Sequence, residues 1–105
     1  MTPTRLKQAA RDDIHQIIDY YIGNVGDKVA LNFIDAWQKS LELLARNPGI
    51  GSLQFEDDLR IAGLRVWTMR GFPHLVLYLV DEAGPEVQRV LHSARDLRFA
   101  LRGSV

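Results

Sequence analysis

From Leu75 to Val80 every position is apolar, and this run organises the reading of the rest. A strand with no polar face has both faces covered, which predicts the centre of a sheet. Turn chemistry brackets it, with Gly71-Phe72-Pro73 on one side and Ala83-Gly84-Pro85 on the other. Flanking segments over 64–70 and 86–93 complete a three-stranded meander. Earlier in the chain the period changes. Ala10, Ile14, Ile17, Ile18, Tyr21 and Ile22 recur at helical spacing, with Asp12 and Asp13 placed in the first turn and Gly23 as the stop. Asn24-Val25-Gly26 is a tight connection, and Asp27 is suited to cap a second helix. That helix buries Val29, Ala30, Phe33, Ile34, Trp37, Leu41 and Leu44 and ends before Pro48. Two helices joined so closely form an antiparallel hairpin.

A short polar segment, Thr4 to Gln8, has the weak alternation of an edge strand. The stretch from Gly49 to Gly63 has no clear period, although Phe55, Leu59 and Ile61 can pin it to the body. Residues 95–102 carry Leu97 and Leu101 at helical spacing and predict about two turns of helix. The order strand, helix, helix, three strands, short helix is an α+β fold: an antiparallel sheet with a helical hairpin packed on one face and a short C-terminal helix. With 105 residues, the chain is expected to be a single domain over residues 1–105.

Composition narrows the chemistry. With no cysteine there is no disulfide framework, thiolate nucleophile or cysteine-ligated zinc. No leader-like apolar segment follows the N-terminus, and no apolar run reaches the ~20 residues that span a bilayer, so no membrane association and a cytoplasmic location are expected. His15, His74 and His92 share no ligand spacing, no glycine-framed serine elbow is present, and Gly49-Ile50-Gly51 follows a helix instead of preceding one. No metal and no cofactor are expected. Thirteen basic side chains balance thirteen acidic ones, which weighs against direct nucleic-acid binding. The balance is uneven, however. Carboxylates dominate the helical half, and Arg65, Arg70, Arg89, Arg95, Arg98 and Arg102 fall in the second half. Guanidinium forks suit carboxylates and phosphates, so this half is expected to meet a carboxylate-rich partner. Arg65, Trp67, Arg70, Phe72, Arg89, Arg95, Leu97 and Leu101 are the candidate contact residues. No catalytic set can be assembled around them. His92 could serve as a general acid or base, but its simpler role is structural, its ring fixing the strand end to the tail helix.

Over nearly its full length the chain resembles the RelE/ParE superfamily of bacterial toxins from type II toxin–antitoxin modules, and most closely the ParE-like branch. The features that carry this are Ala10-x-x-Asp13-Ile14 and Tyr20-Tyr21 in the first helix and Ala30-x-x-Phe33 in the second. Next come Leu44-Ala45-x-x-Pro48-x-x-Gly51, Gly63-Leu64-Arg65, Gly71-Phe72-Pro73-His74 and Tyr78, and finally Val90-Leu91-His92-x-Ala94-Arg95-Asp96-Leu97. The resemblance implies a toxin neutralised by a cognate antitoxin in a hetero-oligomer, with DNA gyrase as target. RelE-like relatives instead cleave messenger RNA on the ribosome, using basic residues of the sheet and a tyrosine or histidine near the C-terminus. For that alternative Arg65, Arg89 and His92 are the candidates. This chain departs from the nuclease pattern, because no tyrosine, histidine or lysine follows Arg95. An inhibitor of gyrase, not an enzyme, is therefore the expectation, with an inactive antitoxin-binding relative as the remaining possibility.

Overall fold

The computed structural model describes residues 3–93 and 96. Strand β1 (Arg5–Leu6) leads into helix α1 (Gln8–Asn24) and helix α2 (Asp27–Arg46). A tight helical turn, Pro48–Ile50, and a one-turn helix α3 (Glu56–Leu59) precede strands β2 (Arg65–Thr68), β3 (His74–Asp81) and β4 (Gly84–His92). The strands form one sheet in the order β1-β4-β3-β2. The apolar run is thus interior in the sheet, as its pattern predicts, although its far end is not covered, Leu79 being half-buried and Val80 exposed. Leu75 to Tyr78 are buried, and β3 is paired on both edges.

Three details differ from the sequence reading. The sheet is mixed: β1 runs parallel to β4, with Arg5 opposite Glu86 and Leu6 opposite Val87. Antiparallel pairing is enforced only where a tight turn joins two strands, and here two long helices and two strands intervene. Helix α1 passes through Gly23 and is capped by Val25, whose N–H donates to the Tyr21 carbonyl. The break falls at Gly26, whose φ of 140° suits glycine. Because α1 begins at Gln8, Asp13 lies beyond the first turn and is free for another task. The aperiodic stretch from Gly49 to Gly63 contains real structure as well. Ser52 bridges Val66 at the outer edge of β2, and α3 packs below the sheet. The expected C-terminal helix lies outside the described residues.

Both sheet faces are covered, by different means. One face meets the helical hairpin, where Ala10, Ile14, Phe33, Trp37 and Leu44 pack on Met69, Val76, Tyr78, Val87 and Val90. The other buries Leu64, Val66, Leu75, Leu77 and Leu91 beneath Phe55, Leu59 and Ile61. Among the described residues no helix is long and apolar enough to cross a membrane.

Candidate functional site: two grooves beside a clamped sheet

The arginines singled out by their residue type do not converge. Arg65, opposite Tyr78 in the sheet, donates to the carbonyls of Gly51 at 2.7 Å and Gly49 at 3.2 Å. The Tyr78 hydroxyl, wholly buried, donates to the Pro48 carbonyl and accepts from the Gly51 N–H, each at 2.8 Å. Together these side chains hold the Pro48–Ile50 turn against β2 and β3. Burial pushes the Tyr78 phenol above the ordinary tyrosine range, against the opposing pull of the Gly51 N–H and Arg65. Gly51 is required by this contact: a Cβ there would lie 2.6 Å from the Tyr78 oxygen.

Arg89 is committed elsewhere. Its Nε and one terminal nitrogen reach Asp13 at 2.8 and 3.0 Å, a bidentate pair that holds the guanidinium charge more firmly. The same Asp13 carboxylate accepts the Val90 N–H at 2.9 Å, so α1 caps the edge of β4 beyond the short β1. His92 donates its backbone N–H to the Asp96 carboxylate at 2.9 Å. That contact holds the strand end through the main chain, where the sequence reading gave the task to the ring, and the His92 ring packs edge-on against His74 at 5.8 Å. In the sheet Arg65 shares a row with Tyr78 and His92 shares one with His74. Those rows are four residues apart along β3, or roughly 13 Å. Arg65, Arg89 and His92 are therefore not gathered around a single point.

Two grooves flank this clamped sheet. The first, of about 450 Å³, runs between α1 and the ends of β3 and β4. Asp13, Tyr20, Tyr21, His74, His92 and Asp96 line it. Tyr21 is packed against Phe33 and Phe72, and burial raises its phenol above the usual range; Tyr20, by contrast, is exposed. Phe72 thus belongs to the aromatic packing beside this groove, with its ring 5.2 Å from that of Phe33. The second groove, of about 660 Å³, lies between α2 and β2. It brings together two of the expected contact residues, Trp67 and Arg70, with Lys39, Ser40, Glu42, Leu43 and Arg46 of α2. Sequence reasoning missed the α2 wall. Its signal was present as the spacing Ala36, Lys39, Leu43, Arg46, a second helical stripe beside the buried one. Arg95, Leu97 and Leu101 lie outside the described residues. Among the described residues no group of three or more His, Asp or Glu could hold a metal ion.

Comparisons with known proteins identify the architecture. Residues 4–97 match the family model described as ParE toxin of type II toxin-antitoxin system, parDE. Toxin ParE1 of Caulobacter vibrioides is 33% identical over 101 residues, covering 96% of this chain and 99% of that protein. A chain of the chromosomal ParDE toxin–antitoxin system from P. aeruginosa superposes with a TM-score of 0.72 at 20% identity, covering 88% of this chain and 96% of its own, a likeness of fold. The mostly antiparallel sheet under a helical hairpin and the match across nearly the whole chain lead to one assignment: the chain belongs to the ParE toxin family of type II toxin–antitoxin systems.

Proposed function

We propose that this toxin arrests growth by inhibiting DNA gyrase in the cytoplasm, without cleaving nucleic acid, and that a cognate antitoxin neutralises it by forming a hetero-oligomer. The observation that carries the choice of mechanism is the commitment of the basic side chains. Arg65 is tied to main-chain carbonyls and Arg89 to Asp13, and the sheet register separates Arg65 from His92. Phosphodiester cleavage needs a proton acceptor, a proton donor and charge stabilisation around one phosphate. That requirement supports an inhibitor, which needs only a complementary surface.

The test is a supercoiling assay with purified gyrase and purified toxin. Loss of supercoiling that rises with toxin and is reversed by antitoxin is the expected result. Undiminished supercoiling at saturating toxin would sink the proposal. Replacing His92 by Ala is expected to leave toxicity in place during induced expression; rapid transcript cleavage that disappears in this variant would shift the assignment to a ribosome-dependent nuclease.

A further inference from the structure

The two covers of the sheet are attached by different means. The helical hairpin is tied down by polar contacts as well as by its core. Asp13 holds Arg89 and the Val90 N–H, and the Thr4 hydroxyl donates to the Leu41 carbonyl at 2.8 Å. The segment over 53–63, on the opposite face, has no such tie. Every hydrogen bond it makes among the described residues ends between Ser52 and Leu64. The Glu56 carboxylate accepts the Gly63 N–H at 2.6 Å, the Ile61 N–H donates to the Glu56 carbonyl at 3.1 Å, and the Leu59 N–H donates to that of Phe55 at 3.0 Å. None of Glu56, Asp57, Asp58 and Arg60 forms an ion pair among the described residues.

Apolar contact alone therefore holds this segment to the sheet. Leu59 is buried, and Phe55 and Ile61 are half-buried, over Leu64, Val66, Leu75, Leu77 and Leu91. Leu53, Gln54, Asp57, Asp58, Arg60 and Ala62 face water. The ends of the segment, by contrast, are fixed. Ser52 exchanges both main-chain bonds with Val66, and Gly51 just before it is held by Tyr78 and Arg65. At the other end Gly63, with φ of 78° and open space where a Cβ would stand, precedes the buried Leu64. A compact surface loop with neighbouring, anchored ends can leave its seat without stretching the chain on either side.

We infer that residues 53–63 are a lid, which lifts from the sheet as one unit while the sheet, the hairpin and the Tyr78 clamp stay in place, and so uncovers an apolar face. Opening breaks no hydrogen bond to the rest of the described fold. Its cost is the apolar contact that closing restores. The hairpin has no such freedom, since its departure would leave Arg89 and the Val90 N–H without Asp13 and would empty the core around Phe33. The second sheet face is therefore conditional: covered in the closed toxin, and exposed in a minor state that does not require unfolding.

The chain has no cysteine, so one introduced thiol can report the opening. Leu77 and Val76 are neighbours on the central strand β3 and both are buried, Leu77 on the lid side and Val76 beneath the hairpin. The full-length variants Leu77→Cys and Val76→Cys are each labelled with excess thiol reagent, and each rate is set against that variant's own global unfolding, measured in urea. The Val76→Cys thiol should react only through global unfolding. The Leu77→Cys thiol should react about 100-fold faster than global unfolding allows, with little response to low urea, because the opening exposes little surface. The Leu59 and Ile61 amides should exchange with the same opening constant. Adding Leu59→Ala should speed labelling of Leu77→Cys about tenfold or more. If Leu77→Cys fails to fold, Leu75→Cys takes its place, since Leu75 belongs to the same buried cluster. Labelling of the Leu77→Cys thiol only through global unfolding overturns the inference, as does a rate that Leu59→Ala leaves unchanged. Exchange of the loop amides while the thiol stays closed would mean fraying above a fixed cover, which overturns it too.

Discussion

At the scale of single residues, the most consequential contact is the one between Tyr78 and Gly51. Tyr78→Phe removes a donor to Pro48 and leaves the Gly51 N–H without its acceptor, so it should cost about 1–3 kcal/mol in denaturant unfolding. The phenol also gives this cost a pH dependence. Its folded-state pKa is raised, so its contribution is complete below the unfolded tyrosine value of ~10 and is lost as pH climbs through the folded-state value. The stability curves of parent and phenylalanine variant should therefore converge in alkaline solution; a constant gap would argue against the buried phenol. Gly51→Ala should destabilise by about 1–3 kcal/mol, because the new methyl would collide with the tyrosine oxygen. Combined with Tyr78→Phe, it should cost less than the sum of the two single changes. Gly51 and Tyr78 were both visible in the sequence as separate members of a motif series. Their contact spans 27 residues and uses a main-chain N–H, so nothing in the side-chain pattern announces it. Arg65 misleads for the same reason. An arginine whose acceptors are carbonyls looks, in sequence, like an arginine on display.

At the scale of elements, the chain's periodicities were reliable and its connections were not. The run from Leu75 to Val80 and the two helical stripes placed β3, α1 and α2 correctly because burial repeats along them. β1, only two residues long, carries almost no pattern of its own, and its parallel pairing depends on where the helices return the chain. The covering segment before β2 was also opaque, since isolated residues such as Phe55 and Leu59 hold it and no repeat does. Asp13 shows how the start of an element alters a residue's role. Read as a first-turn carboxylate, it would favour the helix dipole; one turn further in, it joins α1 to β4. Asp13→Ala should cost about 2 kcal/mol and speed amide exchange at Val90, while Asp13→Asn, which keeps an acceptor, should cost about half as much. Equal losses in the two variants would mean that the charge on Arg89, half exposed, carries the whole effect.

For the molecule as a whole, the two sheet faces are unequal partners. The helical hairpin supplies the large core, centred on the fully buried Phe33, and Phe33→Ala should cost about 3–5 kcal/mol and lower the melting temperature in a thermal scan. The opposite face is closed by a short segment whose core contributions are few. Fold class was readable from element order alone. The site was only partly so: Trp67 and Arg70 are both candidates by residue type, strand alternation would set them on opposite faces, and they share a groove because β2 ends at Thr68, while the α2 residues facing them belong to a distant stretch of chain. Basic residue type was a poor guide to availability, because it does not distinguish Arg89, held by Asp13, from Arg70, which has no such partner among the described residues.

The pairing of β1 with β4 carries a consequence for biosynthesis. Arg5 meets Asp81, and Asp13 meets Arg89 and Val90, contacts separated by 76 or 77 residues. A ribosome delivers the helical hairpin first and the strand that joins both ends of the fold last. Until that strand emerges, the nascent chain has helices with an uncovered apolar face and no completed sheet to act on a target. Folding of this toxin, and any harm it does to its host, must therefore wait for β4 to leave the ribosome.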